Sequence, residues 1–136
     1  GGDRSVIAEY KGWRILLQVC YDLRFPVWSR NRDDYDMILY VASWPTPRVE
    51  AWNALLKARA IENVCYVAGV NRVGDDPNCN YCGGTVLLDF LGKPLADAGT
   101  GGQPATLSAE ADKISLTTFR EKFPALQDAD PFTLNI

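Results

Sequence analysis

"WRILLQVCYDLRFP", residues 13–26, sets a continuous apolar run directly against a cysteine, an acid, a base and a proline. The run over 13–19 is short, apolar and rich in leucine and β-branched residues, which predicts a buried strand rather than a helix. Cys20 therefore falls at the carboxyl end of a strand, where a polar turn begins.

The neighbouring segments extend this reading. "RSVIAEY" (4–10) predicts a short strand, turned by Lys11-Gly12 into the run above. "VWSRNRDDYD" (27–36) is a polar connection with a short helix expected from Val27 onward. "MILYVAS" (37–43) predicts a second strand, covered on both faces. "SWPTPRVEAWNALLKARAIEN" (43–63) is the clearest helix: Thr46 suits the N-cap, Pro47 the first helical position and Glu50 the first turn. Val49, Trp52, Leu55, Leu56 and Ala60 then share one face. "VCYVAGVNRVG" (64–74) predicts a third buried strand and "DDPNCNYCGG" (75–84) a turn-rich loop. "TVLLDF" (85–90), "LADAG" (95–99) and "ATLSAEAD" (105–112) predict further strands, and 113–126 a helix carrying Phe119 and Phe123. Buried strands alternating with helix argue for an α/β layered fold.

Composition narrows the functions available. The 136 residues fit one domain, 47% hydrophobic and 23% charged, with a net charge of −3 and scattered basic residues. That distribution offers no electrostatic footprint for nucleic acid or an anionic membrane, which leaves a small molecule or a protein as partner. No apolar run approaches the ~20 residues that span a bilayer and no signal peptide is recognisable, so the cytoplasm is the expected location. All four cysteines are expected as reduced thiols. The absence of histidine excludes Ser-His-Asp, Cys-His and His-ligated zinc chemistry within these residues.

A cysteine ending a buried strand has two readings, a packed small hydrophobe or a nucleophile presented at an elbow. Asp22 and Arg24 beside it favour an elbow that faces solvent or a ligand. A thiolate needs a nearby cation or base, but Glu9, Glu50, Glu62, Lys11 and Lys57 have no spacing that marks one as the base. Arg24 suits a substrate carboxylate or, alternatively, an internal ion pair with Asp22 or Glu62. Trp44, just past a strand end, is a pocket wall or a core residue. "CNYC" (79–82) lacks the second ligand pair of a zinc site and the setting of a redox motif, and "TGGQP" (100–104) lacks that of a phosphate loop. Neither implies a metal or a nucleotide.

The segments "GWRILLQVCYDLRFPVWSR", "DMILYVASWP", "WNALLKARAIENVCYVAGVNRVG" and "GGTVLLDFLGKPL", in that order, resemble the carboxyl-terminal half of a nitrilase-superfamily carbon–nitrogen hydrolase, most closely its omega-amidase branch. The resemblance implies an incomplete nitrilase-type αββα sandwich, with residues 1–136 forming the carboxyl-terminal part of one domain. It implies an amidase that cleaves a small linear carboxamide, such as the omega-amide 2-oxoglutaramate, to acid and ammonia through a cysteine thioester. Cys20 matches the nucleophile and Tyr21 the residue whose backbone N–H joins the oxyanion hole; Arg24 and Trp44 are the candidate substrate-binding residues. The family's glutamate base and its lysine match nothing here and precede this region in relatives. The chain, which opens without methionine, is therefore expected to be a fragment or processed piece that holds the nucleophile without its base or its lysine. The resemblance implies no metal or organic cofactor, and a homodimer when complete. The alternatives are an N-carbamoyl amidase or nitrilase of the same superfamily, or an inactive fragment.

Overall fold

The structure is a computed structural model and describes residues 2–135. Its centre is a six-stranded mixed sheet in the order β1-β2-β3-β4-β7-β8. β1 (Val6–Tyr10) and β2 (Trp13–Val19) form an antiparallel hairpin, and β2, β3 (Met37–Ala42) and β4 (Tyr66–Asn71) run parallel. β7 (Val86–Leu88) and β8 (Pro94–Asp97) complete the sheet in antiparallel fashion. Parallel neighbours need a crossover, and helix α1 (Val49–Asn63) supplies the one between β3 and β4.

The α1 face predicted from the periodicity is the one that packs. Trp52, Leu56 and Ala60 are fully buried, against Leu16, Ile38, Tyr40 and Val67 from one face of the sheet. The helix approaches the sheet most closely at Gly69 of β4. A Cβ built there would lie 2.5 Å from Leu56 Cδ1 and 2.9 Å from Trp52 Cζ2, so glycine is required by space. The second helix, α2 (Lys113–Lys122), lies across one end of the opposite face, where Leu116 and Phe119 cluster with Trp13, Met37, Val64, Tyr66 and Phe90. Asp112 caps it, its side chain accepting from the Ile114 and Ser115 N–H groups.

Four expectations are corrected. β3 is not covered on both faces. Ile38 and Tyr40 are buried beneath α1, but Val41 is 48% exposed in register with Val19 at 61% and Val70 at 45%. Thr46 does not cap α1: two prolines confine 46–48 to a 3-10 turn, Arg48 becomes the residue before the helix, and the Thr46 hydroxyl bonds to Asn80 Oδ1 at 2.6 Å instead. Residues 75–84 contain more than a loop, because β5 (Val73–Asp75) and β6 (Asn80–Cys82) pair as an antiparallel hairpin. Asp76 holds its turn by accepting from the N–H groups of Asn78 and Cys79. Residues 105–112 join no ladder; their alternation rests on small side chains with little surface to bury.

Candidate active site

The carboxyl ends of β2, β3 and β4 converge on one edge of the sheet, where open α/β folds present their ligand sites. Cys20 follows the last residue of β2 and begins a 3-10 turn, Cys20–Arg24. Its φ is +45°, a left-handed conformation that non-glycine residues adopt rarely and that recurs at functional elbows. The thiol is half-buried, and its sulfur lies 3.8 Å from the Ser43 carbonyl oxygen, just past β3.

Several bonds hold this elbow. Asp22 Oδ2 accepts from the Val19 N–H at 2.8 Å, closing the turn on itself. Leu23 is fully buried beneath α1, and Arg59, 3% exposed, donates to the Leu23 carbonyl at 2.6 Å while pairing with Glu62 at 2.9 Å. The carboxylates of Asp22 and Glu62 are thus engaged elsewhere, and among the described residues neither pairs with Arg24. Tyr21 is the second residue of the turn, at a position where N–H groups lack intrahelical acceptors. Its ring is 66% exposed and meets Phe25 edge-on at 5.0 Å.

The opposite wall is Trp44, which is both core and wall. It is 3% exposed and packs on Trp52 at 5.6 Å, while the Arg24 guanidinium lies 5.0 Å from its ring centroid. Asn71, at the end of β4, fixes the wall's backbone: its side chain accepts from the Trp44 N–H at 2.7 Å and donates to the Trp44 and Gly83 carbonyls. The Trp44 indole donates to the Arg48 carbonyl at 2.7 Å, which brings Arg48 to the rim. Cys20, Tyr21, Arg24, Trp44 and Arg48 surround an open cleft of about 430 Å³. Its lining contains a thiol and two guanidinium groups, but neither a carboxylate nor a lysine among the described residues.

Two of the other thiols are buried, and Cys79 lies away from the cleft on the β5–β6 hairpin turn. Burial pushes the Cys65 thiol well above its usual range, and Cys82 is buried on β6. No cluster of His, Cys, Asp or Glu able to hold a metal occurs among the described residues, and none of their helices is long and apolar enough to cross a membrane. The sequence singled out Cys20, Tyr21, Arg24 and Trp44, and all four line the cleft. It passed over Asn71, Arg59 and Arg48. The carbonyls that Asn71 and Arg59 hold lie far away in the chain, and the place of Arg48 depends on how the helix begins.

Residues 1–121 match the carbon–nitrogen hydrolase family. Omega-amidase YafV of Yersinia enterocolitica is 58% identical over 135 residues, covering 98% of this chain and 52% of its own length. The 2-oxoglutaramate amidase of Bacillus subtilis is 37% identical over 129 residues, covering 93% and 49%. Among solved structures, a CN-hydrolase superfamily protein of Xanthomonas campestris with an arsenic adduct in its active site matches with a TM-score of 0.90 and 47% identity, over 98% of this chain and 53% of its own. The chain spans about half the length of the curated relatives it matches.

Proposed function

The chain belongs to the carbon–nitrogen hydrolase family, and on that footing we propose that it carries the nucleophile of an omega-amidase acting on a small linear carboxamide such as 2-oxoglutaramate. The observation that carries this reading is Cys20, turned through a left-handed φ of +45° onto a cleft that Arg24 and Trp44 border. A thiol at such an elbow is presented to a ligand instead of being packed away.

In the proposed reaction the Cys20 sulfur attacks the amide carbon as its proton passes to a base, and the carbonyl oxygen gains the negative charge. The Tyr21 backbone N–H stabilises that oxyanion. Collapse of the tetrahedral adduct breaks the carbon–nitrogen bond, and the base returns the proton so that ammonia leaves. Water then cleaves the thioester, yielding the acid and restoring the thiol. Arg24 holds the substrate carboxylate. The base and the oxyanion-stabilising lysine, absent from the cleft lining, are assigned to a preceding segment of the same domain, so that residues 1–136 form the carboxyl-terminal part of an αββα sandwich. The apolar row Leu17, Val19, Val41 and Val70, exposed on the sheet face away from α1, supports a further layer there. The same reading makes the complete protein a cytoplasmic homodimer, in keeping with four free thiols.

The test is ammonia release from 2-oxoglutaramate by this chain mixed with the preceding half of the Yersinia enterocolitica relative. Release by the mixture, lost in Cys20→Ala, is expected. Release that survives the substitution, or an assembled but silent mixture that cleaves N-carbamoyl compounds or nitriles instead, overturns the reading.

A further inference from the structure

The cleft concentrates positive charge that the chain does not neutralise. Arg24 and Arg48 both line it, and among the described residues neither enters an ion pair. Arg24 lies over the Trp44 ring, and the indole N–H of the same tryptophan holds the Arg48 carbonyl at 2.7 Å. One buried aromatic thus contacts the Arg24 guanidinium and the Arg48 backbone, and Cys20 lines the same cleft.

Arg48 is also badly placed for the helix it precedes. It occupies the N-cap of the fifteen-residue α1 and makes no side-chain cap. The macrodipole is positive at that end and disfavours a cation. A guanidinium that is exposed and neither caps, nor pairs, nor complements its helix is available to an anion that enters the cleft.

We infer that Arg48 is a specificity-determining residue, which with Arg24 forms a two-sided clamp selecting linear amides that carry a carboxylate at the end remote from the amide. This deepens the reading of Cys20 as the attacking group. A molecule with its electrophilic carbon at the thiol and its far end between two guanidinium groups needs acceptor oxygens pointing to both sides. A carboxylate supplies them, and a 2-oxo group beside it adds one more.

The chain as it stands can be tested with a charged and a neutral alkylating agent of equal length. 5-Iodopentanoate and 5-iodopentanamide separate the reacting carbon from the terminal group by the same number of bonds as 2-oxoglutaramate separates its amide carbon from its carboxylate. In each, the sulfur–carbon bond forms as carbon–iodine breaks, iodide leaves and the thiol proton passes to water. Peptide mapping reads the rate at Cys20 alone. The pentanoate-to-pentanamide rate ratio at Cys20 should exceed that of a free thiol peptide, and high salt should reduce it. Arg48→Gln should lower the ratio about threefold or more, the effect of one unit charge a few ångströms away in water. Arg48→Lys should retain most of it, and Lys122→Gln, on α2, should leave it unmoved. A ratio unchanged in Arg48→Gln overturns the inference, as does one that falls only in Arg24→Gln. None of these readings requires ammonia release, so failure of the clamp and failure of the amidase assignment are told apart.

Discussion

Cys20 reaches its place because residues distant in sequence hold the turn that follows it. Arg59 is the main brace: buried, it joins the Leu23 carbonyl to the Glu62 carboxylate. Replacing Arg59 with methionine keeps much of the volume but strips a buried carbonyl of its charged donor, and should lower stability by about 1–3 kcal/mol in urea unfolding. An unchanged midpoint would remove Arg59 from the account. Asp36 is a second such residue, 3% exposed at its side chain and paired with Arg14, Lys113 and Arg120. Burial pushes its pKa up, but hydrogen bonds and charge from Arg14, with a further bond from Lys113, outweigh that and hold it at about 2, below the ordinary 3.8. Because the folded value is the lower one, the stabilisation is complete above about pH 4 and is lost as pH falls through 2, on the order of 2 kcal/mol in all. Asp36→Asn should therefore be less stable at neutral pH and show a flatter pH dependence between 4 and 2; parallel curves would contradict this. The sequence exposes Cys20 because strand and elbow are contiguous. It conceals Arg59 and Asn71 because their roles are contacts across 36 and 27 residues, which no local pattern encodes.

At the level of elements, legibility follows the amount of apolar surface. β2, β3, β4 and α1 all contribute large apolar side chains to the core, and each is visible as an apolar run or a 3.6-residue period. The β5–β6 hairpin is not, because Asp75, Asn80 and the turn around Asp76 are polar and its pairing depends on the Asp76 side chain. Segment 105–112 errs in the other direction, alternating in sequence without a neighbour to pair with. The contact of α1 with the sheet is the element-scale feature most open to test. Gly69→Ala places a methyl group 2.5 Å from Leu56 Cδ1 and should cost about 1–3 kcal/mol. Combining it with Leu56→Ala should recover part of that loss; a purely additive double variant would show that the close approach is not what demands glycine.

Over the whole molecule, the two faces of the sheet differ. One is sealed by α1; the other is covered at one end by α2 and open over Leu17, Val19, Val41 and Val70. An apolar row of that kind on a free surface favours association. Alone, the chain should bind a hydrophobic dye and self-associate as concentration rises, and the preceding half of a relative should suppress both; indifference to that half would contradict a shared sandwich. The α/β class was legible in the order of buried strands and helix, whereas the uneven covering of the sheet was not, since Val19 and Val41 are as apolar as residues that are fully buried.

The measurement that bears most directly on the account is mass spectrometry of the assembled mixture, quenched in acid during turnover of 2-oxoglutaramate. An acyl adduct is expected on the Cys20 peptide, labile to hydroxylamine and absent from Cys20→Ala. Ammonia release with the adduct on another residue, or with no adduct under conditions that trap thioesters, would contradict it.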